Sequence, residues 1–141
     1  MEAPSPARLY AAAAGALLFV LGVVGFFYYA TFGSLDHYEK ALGAIQVNGW
    51  LNLLYIATGA IGLLVAGVAS RTFSLTAGLL FTLLAIVGWG SLGVNLAFGL
   101  LGLAAAAGTP RTKPKPKPKP DPKKSKPRKL KPRAKPVSKR A

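Results

Sequence analysis

Asparagine inside an apolar stretch has chemistry to offer, and two of them recur here in the same company. Asn52, Tyr55 and Gly59 stand at i, i+3 and i+7 within QVNGWLNLLYIATGAIGLLVAG (46–67), and Asn95, Phe98 and Gly102 repeat that spacing 43 residues later. On a helix each trio shares one face. A side-chain amide there can join helices by hydrogen bonding to its counterpart or to a facing carbonyl, at about 0.6 to 2 kcal/mol in a membrane. The glycine would let two backbones approach, and the aromatic ring would fill the seam. The same face can also line a small polar site for a solute or an ion. Packing is the expected role, and a small-solute transporter or channel component using the Asn52/Asn95 face is the alternative.

Other reactive residue types are sparse. His37 is the only histidine and stands beside Asp36 and Glu39 in GSLDHYEK. One imidazole and two carboxylates make a poor metal site, and a solvated loop is the expected setting. There is no cysteine, which excludes thiol chemistry. No ionisable residue lies within the long apolar runs, whereas proton relays and substrate counter-charges at membrane depth need one. No Ser/His/Asp set can be assembled, and the glycines lie inside apolar runs rather than in a phosphate loop. No catalytic, cofactor-binding or metal residues are expected, and the chain does not read as an enzyme.

The elements that must position the two trios are long apolar segments. Leu9 to Phe32 carries no charge over 24 residues, with Arg8 before it and Tyr28 and Tyr29 near its end. As a helix it would reach about 36 Å, enough to cross a bilayer, and the run exceeds the apolar part of a cleaved signal peptide. A second span is expected over 50–69, and a short interfacial helix over about 41–47. Residues 73–107 form one apolar run that a single helix would stretch to about 52 Å, too long for one crossing. The sequence GWGSLG at 88–93 interrupts helical preference and divides the run into spans at 73–89 and 91–107. The expected fold is therefore all-α and integral to the membrane: four transmembrane helices as two similar hairpins within 9–108, after a short segment at 1–8, with three spans as the alternative count. Arg8, Arg71 and the C-terminal cations then share one side, which places both termini in the cytoplasm of a bacterial plasma membrane. A bundle of short Gly- and Ala-rich helices is thin, and homo-oligomerisation is an expected route to greater buried area.

Within this frame the sequence resembles a known group. ALGAIQVNGWLNLLYIATGAIGLLVAG (41–67) is similar to the second span of a bacterial, mostly actinobacterial, family called domain of unknown function 4383. Its pattern runs close to LGLFQV and then His-Asn-x2-His-x3-Gly-x2-Gly-Leu. Leu42, Gly43, Gln46, Val47, Asn52, Gly59, Gly62 and Leu63 match it. GALLFVLGVVGFF resembles the opening helix, and VNLAFGLLGLAAA resembles the last, where Asn95 and Gly102 match. The resemblance covers roughly residues 15–107 and implies four membrane helices. Leu51, Tyr55 and Phe98 stand where the family pattern has histidine, so a metal, haem or proton role of those histidines does not carry over.

Residues 109–141 differ in kind. They hold fifteen Lys and Arg against Asp121 alone, so the whole net charge of +14 lies there, while residues 1–108 balance to zero. Nine prolines and no aromatic residue leave too little apolar surface to offset ordering entropy, and the tail is expected to be disordered. Lys-Pro alternation favours extended backbone with a reach of up to about 100 Å. The cations of its centre are Lys113, Lys115, Lys117, Lys119, Lys123, Lys124, Lys126, Arg128, Lys129, Lys131, Arg133 and Lys135. They suit anionic lipid headgroups, at about 1 kcal/mol per cation near the surface. Nucleic acid, held non-specifically through its phosphates, is the second candidate partner. The expected role is a membrane scaffold whose tail engages polyanions.

Overall fold

The computed structural model describes residues 3–111. The Lys/Pro-rich tail beyond Arg111, with every cation named above and its expected disorder, lies outside the described residues. Within them the order is α1 (Pro6–Tyr28), β1 (Glu39–Ala41), β2 (Ile45–Val47), α2 (Gly49–Val65), α3 (Ser70–Ile86) and α4 (Leu92–Ala107). The architecture is four helices with one small hairpin in the loop between α1 and α2.

Helix α1 starts one turn before the uncharged run. Pro6 occupies its first turn, where a missing N–H costs nothing, and Ser5 accepts from the Arg8 N–H as N-cap. The helix stops at Tyr28 rather than running on to residue 32. The reason is tertiary. The carbonyls of Tyr29 and Thr31 accept from Asn52 Nδ2 and from the Gly49 N–H, so this backbone serves the start of α2. With 23 residues α1 spans about 34 Å, and it is long and apolar enough to cross a membrane. The other three helices are apolar and shorter, at 16 to 17 residues.

The short helix expected over 41–47 is instead the antiparallel hairpin, with Glu39 opposite Val47 and Ala41 opposite Ile45. Two features decide this. Leu42 and Gly43 both take positive φ, at 51° and 76°, inside a turn closed by the Ala44 N–H to the Ala41 carbonyl, a geometry that reverses a strand pair. Ala41 and Val47 are then buried on one face, while Lys40 and Gln46, paired on the other, remain exposed. Seven residues are also too few for a helix to stand without packing.

The apolar run at 73–107 breaks at residues 87–91. Gly88 and Gly90 adopt φ of 72° and 82°, values that a side chain resists, and they turn the chain from α3 into α4. Two close pairs result, α1 with α2 and α3 with α4, and α1 also packs on α3 and α4. Glycines set the approach within each pair. A Cβ on Gly59 would lie 2.6 Å from the Gly15 carbonyl oxygen, and one on Gly78 would lie 2.7 Å from the Leu103 nitrogen. The core between the pairs is built from Tyr10, Leu18, Leu51, Tyr55, Phe73 and Phe81.

Candidate functional site

Each trio lies at the start and middle of its helix, α2 for Asn52, Tyr55 and Gly59, α4 for Asn95, Phe98 and Gly102. All are buried except Phe98, which is half-buried. The two asparagines do not bond each other. Asn52 Nδ2 donates to the Tyr29 carbonyl at 2.9 Å, and Asn95 Nδ2 donates to the Trp89 carbonyl at 2.6 Å. The trios meet by a different route: the Tyr55 hydroxyl donates to Asn95 Oδ1 at 3.1 Å. Phe81 of α3 stands between their rings, with centroids 5.9 Å from Tyr55 and 5.8 Å from Phe98. An aromatic row and one buried hydrogen bond thus join the faces. The physical reason is spacing: at i+3 the ring of one helix reaches the neighbouring helix at the depth of its asparagine.

The two asparagines differ in one respect. Asn95 uses both ends of its amide, whereas Asn52 Oδ1 is buried without a hydrogen-bond partner. It faces the Cα of Gly25 in α1, where a Cβ would meet the Asn52 amide carbon at 2.6 Å. A Cα–H of Gly25 is the donor available to it, a weak interaction.

The glycines of both trios sit at helix crossings. Gly59 abuts Gly15 and Phe19 of α1, and Gly102 abuts Ser74 and Gly78 of α3. The second helix of each pair uses the same position of its trio to approach the first, which gives the recurrence a structural meaning.

Sequence reasoning missed the connections that close the two ends of the bundle. At one end the Leu35 carbonyl accepts from Asn48 Nδ2 at 3.2 Å and from Trp89 Nε1 at 3.0 Å. The Gln46 N–H donates to Ser91 Oγ at 2.6 Å, which ties the hairpin loop to the α3–α4 turn. At the other end Thr109 is the hub. Its hydroxyl accepts from the Ala7 N–H at 2.9 Å and donates to the Ala105 carbonyl at 2.8 Å, and its own carbonyl accepts from Arg71 Nε at 3.1 Å. Tyr10 adds a bond from its hydroxyl to the Phe98 carbonyl at 2.8 Å. No local pattern signals the ties from Gln46 to Ser91 and from Ala7 to Thr109, which join residues 45 and 102 positions apart.

His37 and Glu39 are both exposed, with Nε2 and Oε1 3.9 Å apart. The His37 ring lies 5.7 Å from that of Tyr29. Asp36 accepts from the Ser34 hydroxyl, and this bond, with one from its own backbone N–H, holds its carboxyl below the usual range. Among the described residues no three His, Asp or Glu side chains gather to hold a metal ion.

The family model for Domain of unknown function (DUF4383) matches residues 8–107, which include both trios and nearly the whole of all four helices. The chain belongs to this family. No curated protein and no solved structure matches the chain. The three positions where the DUF4383 resemblance calls for histidine are filled here by Leu51, Tyr55 and Phe98. All three belong to the apolar core around Phe81 in this DUF4383 protein. Leu51 is fully buried beneath Gly90, where a Cβ would come within 2.6 Å of Leu51 Cδ2.

Proposed function

We propose that this protein is a four-span membrane scaffold with both termini in the cytoplasm, whose basic tail engages anionic lipid headgroups. The observation that carries the reading is the segregation of charge between the two ends of the bundle. Arg8, Arg71 and Arg111 lie at the end knotted by Thr109, while Asp36, His37, Glu39 and Lys40 lie in the loop at the other. The helices between them present leucines and valines outward, among them Leu17, Val20, Leu64, Leu79, Leu83 and Leu100. A large apolar outer surface with cations at one rim is what a bilayer with a negative inner leaflet accommodates. The polar groups of the trios are mostly spent inside the bundle, which supports packing as their role.

The tail reading is tested with a fluorophore on Ser138→Cys, a unique label because the chain has no cysteine. In nanodiscs of phosphatidylcholine the probe should tumble freely. Added phosphatidylglycerol should restrict it at low salt and release it as salt rises. Equal mobility in both lipids would refute headgroup binding, and restriction by duplex DNA alone would favour a nucleic-acid tether.

One observation favours a second reading, transport of a small solute: the unpartnered Asn52 Oδ1. Asn52→Leu that leaves assembly intact and abolishes flux would support it. Lost assembly would support packing.

A further inference from the structure

Helices α1 and α4 do not close on each other. Between them runs an open groove of about 540 Å³, walled by Leu9, Ala13 and Leu17 on one side and by Leu101 and Ala104 on the other. Its floor is Tyr10 and Phe98, and the Tyr10 hydroxyl is already bonded to the Phe98 carbonyl, so the floor offers no open polar group. The cause lies in the sequence. The glycine face of α1, with Gly15, Gly22 and Gly25, is committed to α2, and the alanines left facing α4 are too short to span the gap.

Two features of the groove specify an occupant. The first is length. From Pro6 to Leu17 the α1 wall rises about 17 Å, close to the roughly 15 Å of one leaflet's hydrocarbon. The second is charge at one mouth only. The groove ends at Pro6 and Gly108, and the next residue, Thr109, holds Arg71 through its carbonyl. Arg111 follows, exposed, three residues after Gly108. Among the described residues the acids, Asp36 and Glu39, lie at the opposite end of the bundle. An apolar slot one leaflet long with two arginines close in the chain or in space to the residues at its mouth complements a lipid that joins an alkyl chain to a headgroup of net negative charge.

We propose that the α1–α4 groove is a binding site for one anionic phospholipid of the cytoplasmic leaflet. An acyl chain lies along Ala13 and Ala104, and the phosphate rests between Arg71 and Arg111. The inference rests on the membrane orientation proposed above and is independent of what the tail binds.

The test uses the full chain in phosphatidylcholine nanodiscs containing phosphatidylglycerol with a photoactivatable group in mid-chain. Salt of about half a molar screens the cations of the tail. Adducts should concentrate on residues 6–17 and 98–108, about tenfold above those on the outward face at 61–64, a ratio set by a modest preference. Ala104→Phe should abolish the excess by filling the slot. Arg71→Gln should lower labelling by phosphatidylglycerol about fivefold and that by a phosphatidylcholine probe by less, because the choline cation already offsets the attraction of its phosphate to the arginines. Even labelling of all outward faces would overturn the site as annular lipid only. Ready disulfide dimers of Ala104→Cys, with labelling absent from the groove, would overturn it in favour of a second copy of the chain. A chain that does not enter nanodiscs would refute the membrane reading itself, an outcome distinct from both.

Discussion

Replacing Gly59 by alanine should separate α1 from α2, and the cost follows from the geometry. The added Cβ would lie 2.6 Å from the Gly15 carbonyl oxygen and 2.8 Å from Phe19 Cα, and both are backbone atoms that no rotamer change can move. Ordinary carbon contacts need about 3.5 to 4.0 Å, so the helices must part by about 1 Å along the contact. Overpacking of this kind costs roughly 1 to 3 kcal/mol. Gly102→Ala should behave alike, since its Cβ would meet the Ser74 carbonyl oxygen at 2.8 Å and Gly78 Cα at 2.9 Å. Gly93 is the internal control. It also lies in α4, but a methyl group added there would meet nothing within 4 Å. Gly93→Ala should therefore be neutral or gain up to about 1 kcal/mol from helix propensity. The gap between the crossing variants and the control should thus be roughly 1 to 4 kcal/mol. Reversible unfolding in mixed micelles, followed by circular dichroism, measures it. Gly59→Ala and Gly102→Ala as stable as Gly93→Ala would refute the close crossings and the structural meaning given to the repeat.

Tyr55→Phe removes the donor to Asn95 Oδ1 and should destabilise the bundle by about 0.6 to 2 kcal/mol, read in the same micelle titration. Gly90→Ala should cost about 1 to 2 kcal/mol for its left-handed backbone alone, and its methyl would press on Leu51, so unfolding should begin at a visibly lower denaturant concentration. Ser34→Ala should raise the Asp36 pKa, followed by the side-chain carboxyl shift in an NMR titration. The sign is fixed by the lowered value. The Ser34–Asp36 contact favours the folded loop above the ordinary carboxylate range and is lost as pH falls through the folded pKa.

The helices are legible in the sequence because each is a long apolar run, and the break at 88–93 is legible because glycine is the residue that turns a chain there. The two trios are visible as spacing. Their joining is not, since Tyr55 finds Asn95 only when α2 and α4 are placed by contacts with α1 and α3. The end of α1 is hidden for a similar reason. Residues 29–32 are as free of charge as those before them, and what pulls them out of the helix is Asn52 and Gly49, some twenty residues on. The hairpin at 39–47 is masked by its shortness, because so few residues carry too few periods to tell a strand pair from a helical turn. Thr109 gives no signal, as a threonine after a helix has no local reason to become a hub.

In the proposed topology the hairpin loop and the tail lie on opposite sides of a membrane. Two single-cysteine variants test it, His37→Cys in the loop and Ser138→Cys in the tail, each exposed to a membrane-impermeant maleimide. In intact spheroplasts labelling is expected at position 37 and none at 138, with the pattern reversed in inverted vesicles. Labelling of both positions from the same side would contradict it.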